Sequence, residues 1–226
     1  MLTKEMLTIL SNGKDTGWII EPEAKRFFAL AGFDVPRFVW TSRTEEAIGF
    51  ARKIGYPVVV KVVSPQVVHK SESGGVVTGI STNESLIASL DRMRRINGFA
   101  GAIVEETLEG VELIVGAKVD EQFGPIVLIG IGGTATEIYR DVVIGMAPLS
   151  ESDVERMLRH LKGFSLLNGF RGKEPINMKT LTTLVTRFSD LVMDVEGAME
   201  SIDMNPVICS GDRCVVADAR IMMKRG

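Results

Sequence analysis

Lys61 is the side chain most at odds with its surroundings, in the run Val58-Val59-Val60-Lys61-Val62-Val63. An ammonium in so apolar a strand is costly to desolvate unless an anion meets it. Two readings fit: a lysine held for an anionic ligand, or a strand-end lysine whose head reaches water. His69 lies in a polar stretch from Ser64 to Gly75 that closes on Ser73-Gly74-Gly75. Neutral imidazole is a competent nucleophile toward phosphorus near neutral pH, and a phosphohistidine passes its phosphoryl group on readily. Exposed N–H groups at Gly74 and Gly75 would suit a phosphate. A surface histidine without a chemical role fits the same pattern, and His160, between Arg159 and Leu161, reads as solvated.

Two strand patterns add candidates. From Val111 to Val119, Val111, Leu113, Val115, Ala117 and Val119 share a core face. Glu112, Ile114, Gly116 and Lys118 share the other, with opposite charges either side of a small residue that would admit a flat ligand; a half-solvated sheet with a weak ion pair also fits. Near the end of the chain, Gly211-Asp212 suits a two-residue turn. That turn sets Asn205 opposite Asp218, Asp203 opposite Arg220 and Cys209 opposite Cys214. Asp203, Asn205 and Asp218 then form an all-oxygen cluster suited to a hard cation such as Mg²⁺, unless Asp203 simply pairs with Arg220 on a solvated face. Pro206 is expected to bulge the strand there. The cysteines are expected to be a reduced cross-strand pair, too close together to bind zinc. Gly130-Ile131-Gly132-Gly133 at a strand end suits an anion but is a weak pattern, and Arg171 would clamp a phosphate or pack a loop.

Short strands and amphipathic helices must position these residues. Helices are predicted over Glu21–Gly32, Thr44–Ile54, Asn83–Ile96, Glu151–Leu161 and Lys179–Val195. Strands are predicted over Phe38–Trp40, Val58–Val63, Val76–Ile80, Ala102–Glu105, Val111–Val119, Pro125–Ile131, Ile202–Cys209 and Cys214–Met222. Helices interleaved with hairpin-linked strands predict an α+β fold. The 226 residues allow one large domain or two small ones, with a core that needs no staples. A net charge of −3 and 6% aromatics argue against nucleic-acid binding. The longest apolar stretch, Pro125 to Gly133, is too short to cross a membrane, and an N-terminus with Lys4 and Glu5 is unlike a signal peptide. A soluble, cytoplasmic protein is expected.

In combination and order, Gly55-Tyr56-Pro57-Val58-Val59-Val60-Lys61, His69-Lys70-Ser71-Glu72-Ser73-Gly74-Gly75-Val76, Phe123-Gly124-Pro125-Ile126-Val127, Gly169-Phe170-Arg171-Gly172 and Asp203-Met204-Asn205-Pro206 resemble the ATP-grasp (beta) subunit of ADP-forming acyl-CoA synthetases, from about Glu21 onward. The resemblance implies an ATP-grasp fold of two α+β subdomains clasping a nucleotide, about 21–103 and 104–226, with 1–20 an extension. It implies that Lys61 contacts nucleotide phosphate, that Gly74 and Gly75 cover the phosphates, and that Glu105 and Glu106 lie at the hinge holding adenine. Glu112 would bind near the ribose and Lys118 would reach the phosphates. Asn205 and Asp218, with Asp203 beside them, would hold Mg²⁺. His69 matches a phosphoryl acceptor on a mobile loop, and Gly133 and Glu137 match a Gly-rich segment near the transfer site. Thr134-Ala135-Thr136 departs from the bulkier apolar residues of relatives. The length leaves no room for CoA-binding and ligase domains, so the resemblance implies an alpha-subunit partner carrying both, in a heterotetramer, with ATP and ADP as the nucleotides. Two rival readings are a stand-alone ATP-grasp ligase that forms an acyl phosphate for an amine or thiol, and a non-catalytic nucleotide-binding regulatory subunit.

Overall fold

The computed structural model describes residues 2–67, 70, 73–133, 141–169 and 174–224. His69, Glu137, Thr134-Ala135-Thr136 and Arg171 lie outside these residues.

The chain divides into two compact units. The smaller is Pro36–Leu108; the larger joins Met1–Val35 to Glu109–Gly226. In the smaller, strands β2 (Phe38–Thr41), β3 (Val58–Val63), β4 (Val76–Ile80) and β5 (Gly101–Glu106) form an antiparallel sheet in the order β2-β5-β3-β4. Helices α3 (Thr44–Ile54) and α4 (Asn83–Met93) cover one face. Their apolar stripes, Ala47 and Ala51 with Leu86, Leu90 and Met93, close on Val58, Val60, Val62, Ala102 and Val104. Thr82 starts α4 as a capping box with Ser85, which satisfies two N–H groups at the helix end.

The larger unit is built on a sheet in the order β1-β11-β9-β6-β7-β8, with β10 pairing β9. Its members are β1 (Trp18–Ile19), β6 (Val111–Asp120), β7 (Gly124–Ile131), β8 (Val142–Met146), β9 (Met199–Cys209), β10 (Cys214–Val216) and β11 (Ala219–Met223). One face is buried under α1 (Lys4–Thr16), α2 (Glu21–Leu30), α5 (Glu151–His160), α6 (Phe164–Leu167) and α7 (Met178–Val195). Phe28 anchors this core edge-on to Phe27 and Phe33, with centroids 5.9 and 5.4 Å apart. Each such ring contributes roughly 2–3 kcal/mol by burial.

The unit boundary differs from the expected one at both ends. Residues 1–20, expected as an extension, belong to the larger unit: α1 begins at the Thr3 cap, and β1 pairs with β11 through Trp18↔Met222 and Ile19↔Ile221. Residues 21–35 belong with this sheet too, because α2 packs on β11 and the Val216 N–H donates to Asp34 O at 2.8 Å. At the other boundary, β5 stays paired to β3 as far as Val58↔Glu106, so the smaller unit runs past residue 103.

The predicted register of the closing hairpin holds: Cys209↔Cys214, Asp203↔Arg220, and the Asn205 N–H donating to Asp218 O at 3.1 Å. The bulge at Pro206 also occurs, but toward β6, where pairing slips between Leu113 and Val115; on the other side residues 217–218 match it and split the expected last strand into β10 and β11. The cysteines are a correction. They are joined as a disulfide rather than reduced, their opposed positions bringing the Cα atoms to 4.1 Å.

Candidate functional site

In the smaller unit, Lys61 is buried rather than snorkelling. Its side chain is 8% exposed, and Nζ lies 2.8 Å from Oε1 of Glu105, itself 4% exposed. Register explains the meeting: Glu105 faces Val59 and Ile103 faces Lys61 on adjacent strands, so the two charged residues are diagonal neighbours on one sheet face. Glu106, next in β5, points the other way. Its carboxylate accepts from Arg37 Nε at 2.7 Å and from the Arg37 backbone N–H at 3.0 Å.

The glycine pair ends the His69 segment under tight constraint. Gly74 has φ +66° and its carbonyl accepts from Arg92 Nη2 at 3.0 Å. Gly75 has no room for a side chain, since a Cβ would stand 2.4 Å from Val62 Cγ1. Its N–H donates to Lys70 O at 2.7 Å, so that group is engaged within the loop.

In the larger unit, the helix-free face of the sheet gathers most of the remaining candidates. Across it, Met222, Ser201, Lys118, Ile126 and Met146 form one row, and Arg220, Asp203, Gly116, Leu128 and Ile144 the next. Asn205 and Asp218 follow at the bulge, and Ile114, Gly130 and Val142 continue the adjoining strands. The face is therefore polar over β9 and β11 and apolar over β7 and β8, where Ile144 and Met146 are exposed. Gly116 leaves space for Asp203, whose Oδ1 lies 3.2 Å from where a Cβ would be. The second oxygen of Asp203 accepts from Arg220 Nη2 at 3.1 Å.

Gly132 and Gly133 are drawn onto the same strand as Glu112. The Gly132 N–H donates to Glu112 O at 2.6 Å, a Cβ there would strike the Glu112 backbone, and Gly133 turns with φ +89° within reach of the Glu112 carboxylate. Asp141, just beyond, holds the start of α6 by accepting from the N–H groups of Lys162 and Gly163 at 2.8 and 2.7 Å.

The structure thus brings together Lys61 with Glu105 and Glu112 with Gly133, and sets Asp203, Asn205 and Asp218 at neighbouring positions of one hairpin, where Asp203 pairs with Arg220 and the Asn205 N–H donates to Asp218 O. Among the described residues no group of three His, Cys, Asp or Glu side chains gathers to hold a metal. The hairpin nevertheless offers a carboxylate and an amide oxygen at opposed positions, Asp218 and Asn205, the hard donors that Mg²⁺ takes alongside water. Asp203, committed to Arg220, fits as their neighbour. Sequence reasoning missed Arg37 and Arg92, whose roles rest on long-range contacts to single backbone or carboxylate oxygens and leave no local pattern.

The chain matches the ATP-grasp domain family over residues 10–223. It is 36% identical to the beta subunit of acetate–CoA ligase (ADP-forming) I from Pyrococcus furiosus, covering 91% of each chain. It is 32% identical to 4-hydroxybutyrate–CoA ligase (ADP-forming) from Nitrosopumilus maritimus, of which it spans 30%. Among solved structures, the dinucleotide-forming acetyl-coenzyme A synthetase 1 of Candidatus Korarchaeum cryptofilum, in complex with coenzyme A and Mg-AMPPCP, superposes with a TM-score of 0.84. The two are 38% identical over 97% of this chain and 100% of the other; in the Korarchaeum structure the phosphohistidine segment points towards the nucleotide binding site. The chain belongs to the ATP-grasp family, among the beta subunits of ADP-forming acyl-CoA synthetases.

Proposed function

We propose that this chain is the nucleotide-binding subunit of an ADP-forming acyl-CoA synthetase, interconverting acyl-CoA, ADP and phosphate with carboxylic acid, CoA and ATP. The observation that carries this reading is the end-to-end match to a subunit of that name, over 91% of both chains. An alpha subunit carrying the CoA-binding and ligase domains completes the enzyme, in a heterotetramer, and forms acyl phosphate from acyl-CoA and phosphate. A histidine of that subunit takes the phosphoryl group, and His69 receives it through a ring nitrogen.

In the nucleotide half-reaction, a terminal phosphate oxygen of ADP attacks phosphorus, the P–N bond to His69 breaks, and the imidazole leaves neutral after taking one proton. Both bonds are of similar free energy, so the step runs either way. Protein work here is positioning and charge neutralisation. Lys61, paired with Glu105 at 2.8 Å, offers its ammonium to phosphate oxygen when a nucleotide binds. Gly74 and Gly75 lie over the phosphates, Glu112 binds near the ribose, Lys118 reaches the phosphates, and Glu105 and Glu106 lie at the hinge that holds adenine. Gly133 and Glu137 line the transfer site. Asn205 and Asp218, with Asp203 beside them, hold Mg²⁺, which supplies charge neutralisation for the transferring group.

The test is incubation with [γ-³²P]ATP and Mg²⁺, followed by mapping of acid-labile, base-stable phosphate. Label on His69, lost in His69→Ala, is the expected result. Ligase activity without label on any residue would overturn the relay in favour of direct acyl phosphate formation.

A further inference from the structure

The end of β5 is fastened from both sides. Toward β2 the ladder closes with Phe38↔Glu105, and the next two residues, Arg37 and Glu106, are joined by three bonds. The Glu106 N–H donates to Arg37 O at 3.1 Å. In return the Glu106 carboxylate accepts the Arg37 backbone N–H through Oε1 at 3.0 Å and the Arg37 Nε–H through Oε2 at 2.7 Å. Toward β3, Thr107 Oγ1 donates to Pro57 O at 2.9 Å. The two partners of the main clasp differ in exposure: the Glu106 side chain is 13% exposed and that of Arg37 is 63% exposed. A carboxylate so withdrawn from water needs charge-assisted partners, and Arg37 supplies them from a largely solvated position. Glu105 turns to the opposite face, where Lys61 meets it. Consecutive carboxylates at the strand end therefore each have a cation, one on either face.

We propose that Arg37 is a positioning residue for nucleotide binding, gripping the Glu106 carboxylate and so fixing the strand end at which the nucleobase is held. This rests on the nucleotide-binding reading, in which Glu105 and Glu106 lie at the hinge that holds adenine. Glu106 points away from the face that Lys61 and Glu105 share, and both of its carboxylate oxygens are committed to Arg37. Its side chain thus sets the course of the backbone rather than reading the base. Glu106 and Thr107 stand within two positions of Leu108, where the smaller unit ends, and a strand end without such ties frays. Oriented contacts to a ligand weaken when the backbone that makes them shifts by as little as about 1 Å. Arg37 does not need to touch nucleotide for this role.

The experiment measures ADP affinity by calorimetry in the presence of Mg²⁺, the labelling rate at saturating [γ-³²P]ATP, and the melting temperature, all in the full chain. In Arg37→Ala, ADP affinity is expected to fall about threefold to tenfold, the scale of one hydrogen bond. Labelling at saturating ATP should stay within about twofold of wild type, because the loss falls on binding and not on the chemical step. The melting temperature should move by less than about 4 °C, as befits a pair with one largely solvated partner. Arg37→Lys, which keeps a charged donor, should recover most of the affinity. Glu106→Ala should show the same loss, and the double variant Arg37→Ala/Glu106→Ala no more than either single one, because the two act as a unit. Wild-type ADP affinity in Arg37→Ala would overturn this role alone. So would losses that add in the double variant, or a labelling rate that falls as far as the affinity. Failure of the wild-type chain to bind ADP would overturn the nucleotide-binding reading and this role together.

Discussion

Removing either partner of the Lys61–Glu105 pair should cost far more than removing both. At 2.8 Å and an effective dielectric of 20, the attraction between unit charges is about 6 kcal/mol. Desolvation takes much of this back, at several kcal/mol per ion. Lys61→Met or Glu105→Met alone removes the ion partner 2.8 Å from a charge in a site that is 4–8% exposed, and each single variant is expected to lose about 3–5 kcal/mol. In a protein of this size that lowers the melting temperature by about 6–20 °C. The double variant Lys61→Met/Glu105→Met replaces the pair with apolar side chains of similar volume and should recover most of the loss, giving a coupling energy above about 2 kcal/mol. Urea unfolding of the four proteins measures it, with constant m-values as the check that only stability has changed. Single losses under about 1 kcal/mol that add within about 0.5 kcal/mol would refute the reasoning, because they would mean that water reaches the pair.

Two further outcomes are expected. Gly75→Ala should destabilise by about 1–3 kcal/mol by overpacking Val62, whereas Gly74→Ala meets no neighbouring atom and should cost about 1 kcal/mol through its left-handed backbone alone; thermal unfolding of both distinguishes a packing constraint from a conformational one. The Asp120 carboxylate, which accepts the N–H groups of Gln122 and Phe123 at 2.9 and 3.0 Å, is held below the ordinary aspartate range by these backbone hydrogen bonds. A lowered folded pKa stabilises the fold above the unfolded value and stops doing so as pH falls through the folded one. The stability gap between wild type and Asp120→Asn should therefore be full at pH 6–7 and shrink below about pH 3.9, which urea titrations across that range will show.

Strand positions were the most legible part of the fold. The valine run of β3, the alternation of β6 and the hairpin turn at Gly211-Asp212 each carry their own period or turn chemistry, and the paired residues of the hairpin followed from the turn alone. Helix α1 escaped notice because Asn12-Gly13 interrupts it. Gly13 is tolerated there since a Cβ would clash with Ile19 Cγ1 at 2.5 Å, a tertiary reason invisible in the sequence, although Thr3, Met6, Ile9, Leu10 and Gly17 carried a cap-to-cap helix signal. β8 was missed because Val142–Met146 is a short edge strand whose exposed positions are as apolar as its half-buried ones. At the site, an anion opposite Lys61 was foreseeable on energetic grounds. That the anion is Glu105 follows only from the antiparallel register of β3 and β5, which joins residues more than forty positions apart.

The pairing of β1 with β11 also constrains how the chain is made. The strands of the smaller unit have all emerged by Glu106, and its four-stranded sheet needs nothing later in the chain. The first two helices and β1, synthesised before it, lack their partner strand until Ala219–Met223 appears at the far end. On a ribosome adding roughly 5–20 residues per second, that leaves an apolar N-terminal segment waiting on the order of ten to forty seconds while its neighbour folds. Met6, Ile9, Leu10, Phe27 and Phe28, all buried in the finished protein, are then the surface that a chaperone would meet first.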